Sequence, residues 1–136
     1  MNKETAEKCI NLIFDAYEKN DPSAPINQNT KGLCIDFIGG EPLMNIEIID
    51  FISTQIMDRC IKENHPWLFN IVFSMISNGT YYFTTSVQNY LNKFGNLVDF
   101  GVTIDGPEEI HNKDRYYPDG TGNFKDAFNC YLDLQK

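Results

Sequence analysis

Apolar residues recur at helical spacing from the start of the chain, at Ala6, Cys9, Ile10, Ile13, Phe14 and Tyr17, with Lys3, Glu4, Glu7, Lys8, Asp15 and Glu18 mostly on the other side. Steps of three and four residues gather one apolar stripe on an α-helix, so the chain opens on a one-sided helix. Asn20 to Lys31, with Pro22 and Pro25 among Asn and Ser, reads as a loop. It leads into Leu33-Cys34-Ile35-Asp36-Phe37-Ile38, an apolar run short enough for a buried strand. A helical pattern follows from Ile46, with Asn45 as its N-cap and Ile48, Ile49, Ile52, Ile56 and Cys60 as its buried stripe. A second run, Leu68 to Ile76, stops at Ser77-Asn78-Gly79-Thr80, after which Ser86 would cap a helix with Val87, Tyr90, Leu91 and Phe94 inward. A third run, Leu97 to Ile104, stops at Asp105-Gly106-Pro107. The polar stretch Pro107 to Arg115 reads as a loop, and Asn123 then precedes a last helix with Phe124, Ala127, Phe128, Tyr131 and Leu132 on one face.

The predicted order is one helix, then strand and helix three times over. Strands alternating with helices imply an α/β fold with a parallel sheet and right-handed crossovers. Such units carry all their strand ends to one edge, so Gly39 to Pro42, Ser77 to Thr80 and Thr103 to Pro107 are expected side by side. Each turn alone has a structural explanation, since Gly-Gly, Asn-Gly and Asp-Gly are common turn dipeptides. Their recurrence at the same end of successive strands points to a ligand cleft there. Gly39 and Gly40 lack a Cβ and let a ligand approach the backbone, Glu41 adds a carboxylate, and Pro42 fixes the exit of the chain. Arg115 offers a guanidinium for a ligand carboxylate, or else pairs in solvent with Asp114 or Asp119. His111 has no neighbour that marks it as a metal ligand or a nucleophile's base and reads as a structural histidine, while His65 in its turn reads as exposed.

Composition narrows the function without naming it. The 136 residues suit one domain, with 42% hydrophobic and 22% charged residues as in ordinary globular chains. A net charge of -8 argues against nucleic acid as a partner, because that affinity rests on clustered Lys and Arg. No stretch approaches the roughly 20 apolar residues of a membrane span, and the start of the chain is unlike a secretory signal, so a cytoplasmic protein without a membrane partner is expected. Cys9, Cys34, Cys60 and Cys130 have no metal-ligand spacing and read as small buried hydrophobes. The Asn78-Gly79-Thr80 sequon is read as accidental without an export signal, and Trp67, Tyr81, Tyr82 and Phe83 are assigned mainly to the core. No G-x-G-x-x-G or P-loop supports a nucleotide-binding doubly wound domain.

Taken in order, Ile38-Gly39-Gly40-Glu41-Pro42-Leu43, Ser77-Asn78-Gly79-Thr80, and Thr103-Ile104-Asp105-Gly106-Pro107 with His111, Arg115 and Gly120-Thr121-Gly122-Asn123-Phe124 resemble the radical S-adenosylmethionine (SAM) enzymes. The likeness is to the branch that modifies peptides and proteins, the SPASM-type group of anaerobic sulfatase maturases and maturases of cysteine-containing peptides. It runs from about Leu33 to Phe128, and the wording around Phe100 to Gly106 and Arg115 to Gly120 is most similar to maturases of peptides with repeated cysteine motifs. The chain departs from the pattern at Asn112, where the family usually has Asp, and at Thr103, where it often has Ser. Both swaps keep a hydrogen-bonding group.

The resemblance implies a partial TIM-like (βα) barrel of three parallel strands, with the N-terminal helix first. It implies that Gly39, Gly40, Glu41 and Pro42 hold the amino end of the SAM methionine moiety. Thr103 would lie near the ribose or methionine portion, Asn78 would shape the cleft, and Arg115 would pair with the methionyl carboxylate. Asp105 is expected to stabilise its own turn, with a role in the cleft left open. In the family a 4Fe-4S cluster on a CxxxCxxC loop reduces SAM, and the deoxyadenosyl radical then takes a hydrogen from a peptide or protein substrate.

This chain has no CxxxCxxC. It therefore reads as a single incomplete radical SAM core over residues 1–136, without the first strand, the cluster loop or the later strands. No catalytic or metal-binding residue is assigned. Alone it is expected to carry no bound cofactor, taking up no cluster and S-adenosylmethionine only weakly, to be inactive, and to self-associate through an unpaired sheet edge. The alternative is a non-catalytic module that keeps the fold and a small-molecule or peptide cleft.

Overall fold

A computed structural model describes residues 1–136. Five helices and three strands follow the order α1 (Lys3–Lys19), β1 (Leu33–Phe37), α2 (Ile46–Lys62), β2 (Ile71–Ser77), α3 (Thr85–Phe94), β3 (Val98–Val102), α4 (Glu108–Asp114) and α5 (Phe124–Leu134). The strands form one open sheet in the order β1-β2-β3. They run parallel: Leu33 N–H donates to Asn70 O at the start of one pair, and Thr103 N–H to Ser77 O at the end of the other, both at 2.9 Å. The predicted alternation of strands and helices is thus observed as a partial α/β sheet that does not close into a barrel.

Several local expectations shift. A 3₁₀ turn, Pro42–Asn45, leads into α2, and the Asn45 side chain makes no capping bond. The buried stripe of α2 includes the expected Ile49, Ile56 and Cys60, with Ile46 and Ser53 buried in place of the half-buried Ile48 and Ile52. Helix α3 starts one residue before the expected cap, with Thr84 rather than Ser86 in the N-cap position. The stretch after Pro107, expected as a loop, is the short helix α4.

The chain divides into two compact units. The first comprises residues 1–36 and 45–74. There α1 packs on α2, and an aromatic nest forms from Phe14, Tyr17, His65 and Trp67. Trp67 is fully buried, and its indole N–H donates to Thr30 O at 2.9 Å. His65 is buried rather than exposed, because its Nδ1 accepts from Trp67 N–H at 3.3 Å and its ring lies 4.3 Å from the Trp67 ring. Burial pushes its pKa down, which favours the neutral ring needed for that acceptor role. Arg59 lies over the Phe14 ring at 4.2 Å and pairs with Glu18 at 3.2 Å and Glu63 at 2.8 Å.

The second unit comprises residues 37–44 and 75–136. Helix α5 packs on β3 and on α4, burying Ala127 and Cys130. Tyr82 is buried and donates to Asp133 at 3.0 Å, with burial first and that bond second pushing its pKa up to about 12.

The cysteines separate into two classes, which corrects the expectation of four buried thiols: Cys60 and Cys130 are buried, while Cys9 and Cys34 are exposed. Burial raises the Cys60 thiol to about 11 and the Cys130 thiol to about 12, so both stay protonated near neutral pH. A thiol reagent at pH 8 is expected to label Cys9 and Cys34 in the native protein and the other two only on unfolding. Rapid labelling of four thiols in the folded chain would contradict this packing.

Candidate functional site

All three strand-end turns belong to the second unit, and hydrogen bonds join them there. Glu41 supplies the first link. Its Oε1 accepts from Leu43 N–H at 3.0 Å and from the Ser77 hydroxyl at 2.8 Å, and its Oε2 accepts from Asn78 N–H at 2.8 Å. The carboxylate therefore caps the turn after β1 and ties it to the end of β2. Ser77 is 2% exposed and also accepts from Gly79 N–H at 3.0 Å, while Thr103 N–H extends the connection to β3 through Ser77 O. Asn78 Oδ1 accepts from the Thr80 backbone at 2.9 Å and hydroxyl at 2.7 Å, a local turn bond.

Gly39 and Gly40 differ from the other turn glycines. Gly79 has φ +81°, and a Cβ there would come within 2.9 Å of Ala127 Cα, so the fold itself demands glycine. Gly39 and Gly40 are exposed, lack positive φ, and have no atom within 4 Å of an added Cβ. Nothing in the packing of this chain requires glycine at either position.

Arg115 pairs with Asp105 rather than with Asp114 or Asp119, and Asp105 reaches beyond its own turn. Nε of Arg115 donates to Oδ2 of Asp105, and Nη2 donates to Oδ1 at 3.3 Å. Those hydrogen bonds hold the Asp105 carboxyl below the usual carboxylate range and raise the Arg115 pKa. Because the folded pKa of Asp105 is depressed, the pair's contribution is present above the ordinary carboxylate pKa and is lost as pH falls through the depressed value. His111 is fully buried, as a structural histidine should be; its Nδ1 accepts from Asp105 N–H at 3.2 Å, so Nε2 carries the proton and donates to Asn123 Oδ1 at 2.8 Å. Asn112 keeps an acceptor role, receiving Phe124 N–H at 3.0 Å.

The unit thus brings Gly39, Gly40, Glu41, Pro42, Asn78 and Thr103 to one edge, with Arg115 anchored to the turn after β3. Sequence reasoning missed Ser77 as the bridge and Asp105 as the partner of Arg115. The polar residue closing β2 was the available signal for the first. Chemically, the edge offers main-chain carbonyls for an ammonium group and a guanidinium for a carboxylate. A cavity of about 470 Å³ lies elsewhere, in the first unit between α1 and α2, but Arg59, which lines it, is already committed to Glu18 and Glu63. No group of three or more His, Cys, Asp or Glu side chains is arranged to hold a metal ion. No helix is long and apolar enough to cross a membrane.

No family model matches the chain. Over 123 residues, 90% of its length, it is 32% identical to the radical SAM cyclopropyl synthase TigE of Paramaledivibacter caminithermalis. Over most of its own length the chain is thus similar in sequence to a stretch of a radical SAM enzyme. A solved structure, native anSMEcpe with bound AdoMet and Kp18Cys peptide, has the same fold over 99% of this chain, with a TM-score of 0.71 at 22% identity. The chain spans 22% of the length of TigE and 32% of the anSMEcpe chain. The ordered strand-end motifs are parts of one hydrogen-bonded edge. The 4Fe-4S cluster has no fitting donor set here, since there is neither a CxxxCxxC sequence nor a metal-holding group.

Proposed function

We propose that residues 1–136 are part of a radical SAM core and hold S-adenosylmethionine at the strand-end edge, within an enzyme that modifies a peptide or protein. The observation that carries this reading is the pair Gly39-Gly40, two open glycines that the fold does not need, beside a carboxylate the fold uses fully. The residues fit the amino-acid end of the ligand. The open backbone at Gly39 and Gly40 receives the ammonium, Glu41 and Pro42 fix that turn, Asn78 and Thr103 bound the cleft, and Arg115 takes the carboxylate. Exposed Ile38 and Ile76, at the ends of β1 and β2, offer apolar surface for the adenosyl group.

When bound and reduced, S-adenosylmethionine supplies the radical chemistry of the family. The residues of this chain bind and orient it.

The test is equilibrium binding of S-adenosylmethionine to the full chain and to its Gly40→Val variant, with a urea titration of each. A Cβ-branched residue at this open position should leave the urea midpoint unchanged and weaken binding at least tenfold, about 1.4 kcal/mol. Equal affinity in the two proteins would refute the placement of the ligand.

A further inference from the structure

We propose that Asp105 is a positioning residue that aims Arg115 at the ligand carboxylate, with His111 and Asn123 holding Asp105 in place; this rests on the ligand assignment just made. An arginine side chain has rotamer entropy to lose when it is fixed. A partner that fixes it beforehand removes that cost from binding.

The structure contains a closed ring of such constraints. Arg115 N–H donates to His111 O at 3.1 Å, and Asn123 N–H donates to Arg115 O at 3.3 Å. The Asn123 side chain accepts from His111, His111 accepts from the Asp105 backbone, and the Asp105 carboxylate returns to the Arg115 guanidinium. His111 and Asn123 are buried, so two members of the ring are shielded from water.

The chain between Arg115 and Asn123 is folded back to make this ring possible. Tyr116 and Gly122 form an antiparallel bridge, and Tyr117 N–H donates to Thr121 O at 2.8 Å. A Cβ at Gly122 would overlap the Asn112 side chain, so glycine lets this return press against α4. These contacts give His111, Asn112, Gly122 and Asn123 a common task, the fixing of one guanidinium.

The pairing geometry decides between positioning and competition. Asp105 engages Arg115 side-on, through Nε and one hydrogen of Nη2. A guanidinium paired this way still has its end-on edge, Nη1 with the outer hydrogen of Nη2, for a second carboxylate. The ligand carboxylate can therefore join the pair without displacing Asp105. If Asp105 were a competitor, removing its charge would tighten binding.

The experiment compares S-adenosylmethionine with decarboxylated S-adenosylmethionine, which keeps the adenosine, the sulfonium and the ammonium but has no carboxylate. In Asp105→Asn the affinity for S-adenosylmethionine is expected to fall about tenfold while that for the decarboxylated ligand holds. His111→Gln should give the same selective loss, and Asp105→Glu should recover part of it. Unchanged or tighter S-adenosylmethionine binding in Asp105→Asn overturns the proposal. Equal loss of both ligands also overturns it, because Asp105 would then support the fold and not the carboxylate contact. A wild-type chain that binds the decarboxylated ligand as well as S-adenosylmethionine removes the carboxylate contact alone, whereas one that binds neither removes the ligand assignment itself.

Discussion

Gly79→Ala should be the most damaging single-methyl change in this protein. At φ +81° an L-residue sits in the left-handed region, which costs roughly 1–2 kcal/mol. The new Cβ would also lie 2.9 Å from Ala127 Cα, 3.2 Å from Val102 Cγ2 and 3.3 Å from Cys130 Cβ. Helix backbone cannot rotate aside as a side chain can, so overpacking adds about 1–3 kcal/mol. The sum, about 2–5 kcal/mol, is a large share of the roughly 5–15 kcal/mol that holds a domain together. A urea titration should show the midpoint falling by about 1–3 M, or no folded baseline at all. A midpoint within about 0.3 M of the parent's would mean that α5 does not rest on the turn after β2.

Glu41→Ala is the second large effect, and it acts on the fold and the site together. It deletes the acceptor of three hydrogen bonds, from Leu43, Ser77 and Asn78. Bonds to charged groups are each worth about 1.5–3 kcal/mol, reduced here because Glu41 is only half-buried. A loss of about 2–4 kcal/mol by urea denaturation follows. Glu41→Gln retains one acceptor oxygen and should lose about half as much. S-adenosylmethionine binding should fall in step with stability across these two variants, in contrast to Gly40→Val, where binding falls and stability does not. Glu41→Ala with full stability would remove the carboxylate as the tie between turns.

The contrast between Gly79 and Gly40 shows what could be read from the chain. Asn-Gly after an apolar run marks a turn, and Gly-Gly after another marks a second, but the letters do not say which glycine is packed against a helix and which is open. The strands themselves were legible because each apolar run is bounded by turn residues. The apolar run of β1 does not place Cys34, because alternate residues of a strand face opposite ways and Cys34 lies on the exposed side. Helix α4 escaped notice because Glu108–Asp114 carries no apolar stripe; its buried residue is His111, held by hydrogen bonds rather than by hydrophobic burial.

Long-range polar partners were the least legible part of the site. Asp105 and Arg115 are ten residues apart, and nothing in their spacing selects that pairing over Asp114 or Asp119. It follows from the return of the chain at Tyr116 and Gly122. Ser77 likewise gains its role only because the turn after β1 brings Glu41 to it. Order and turn chemistry located the edge, and packing decided which polar atoms on it were already committed.

The central claim is that the three turns form one adenosyl pocket. An amide and arginine-side-chain NMR titration of the ¹⁵N-labelled chain with S-adenosylmethionine tests it most directly. Saturable shifts gathered at Gly39, Gly40, Asn78, Thr103 and the Arg115 guanidinium are the predicted result. Shifts centred instead on Asn11 and Arg59 in the groove of α1 and α2, or none that saturate, would contradict it.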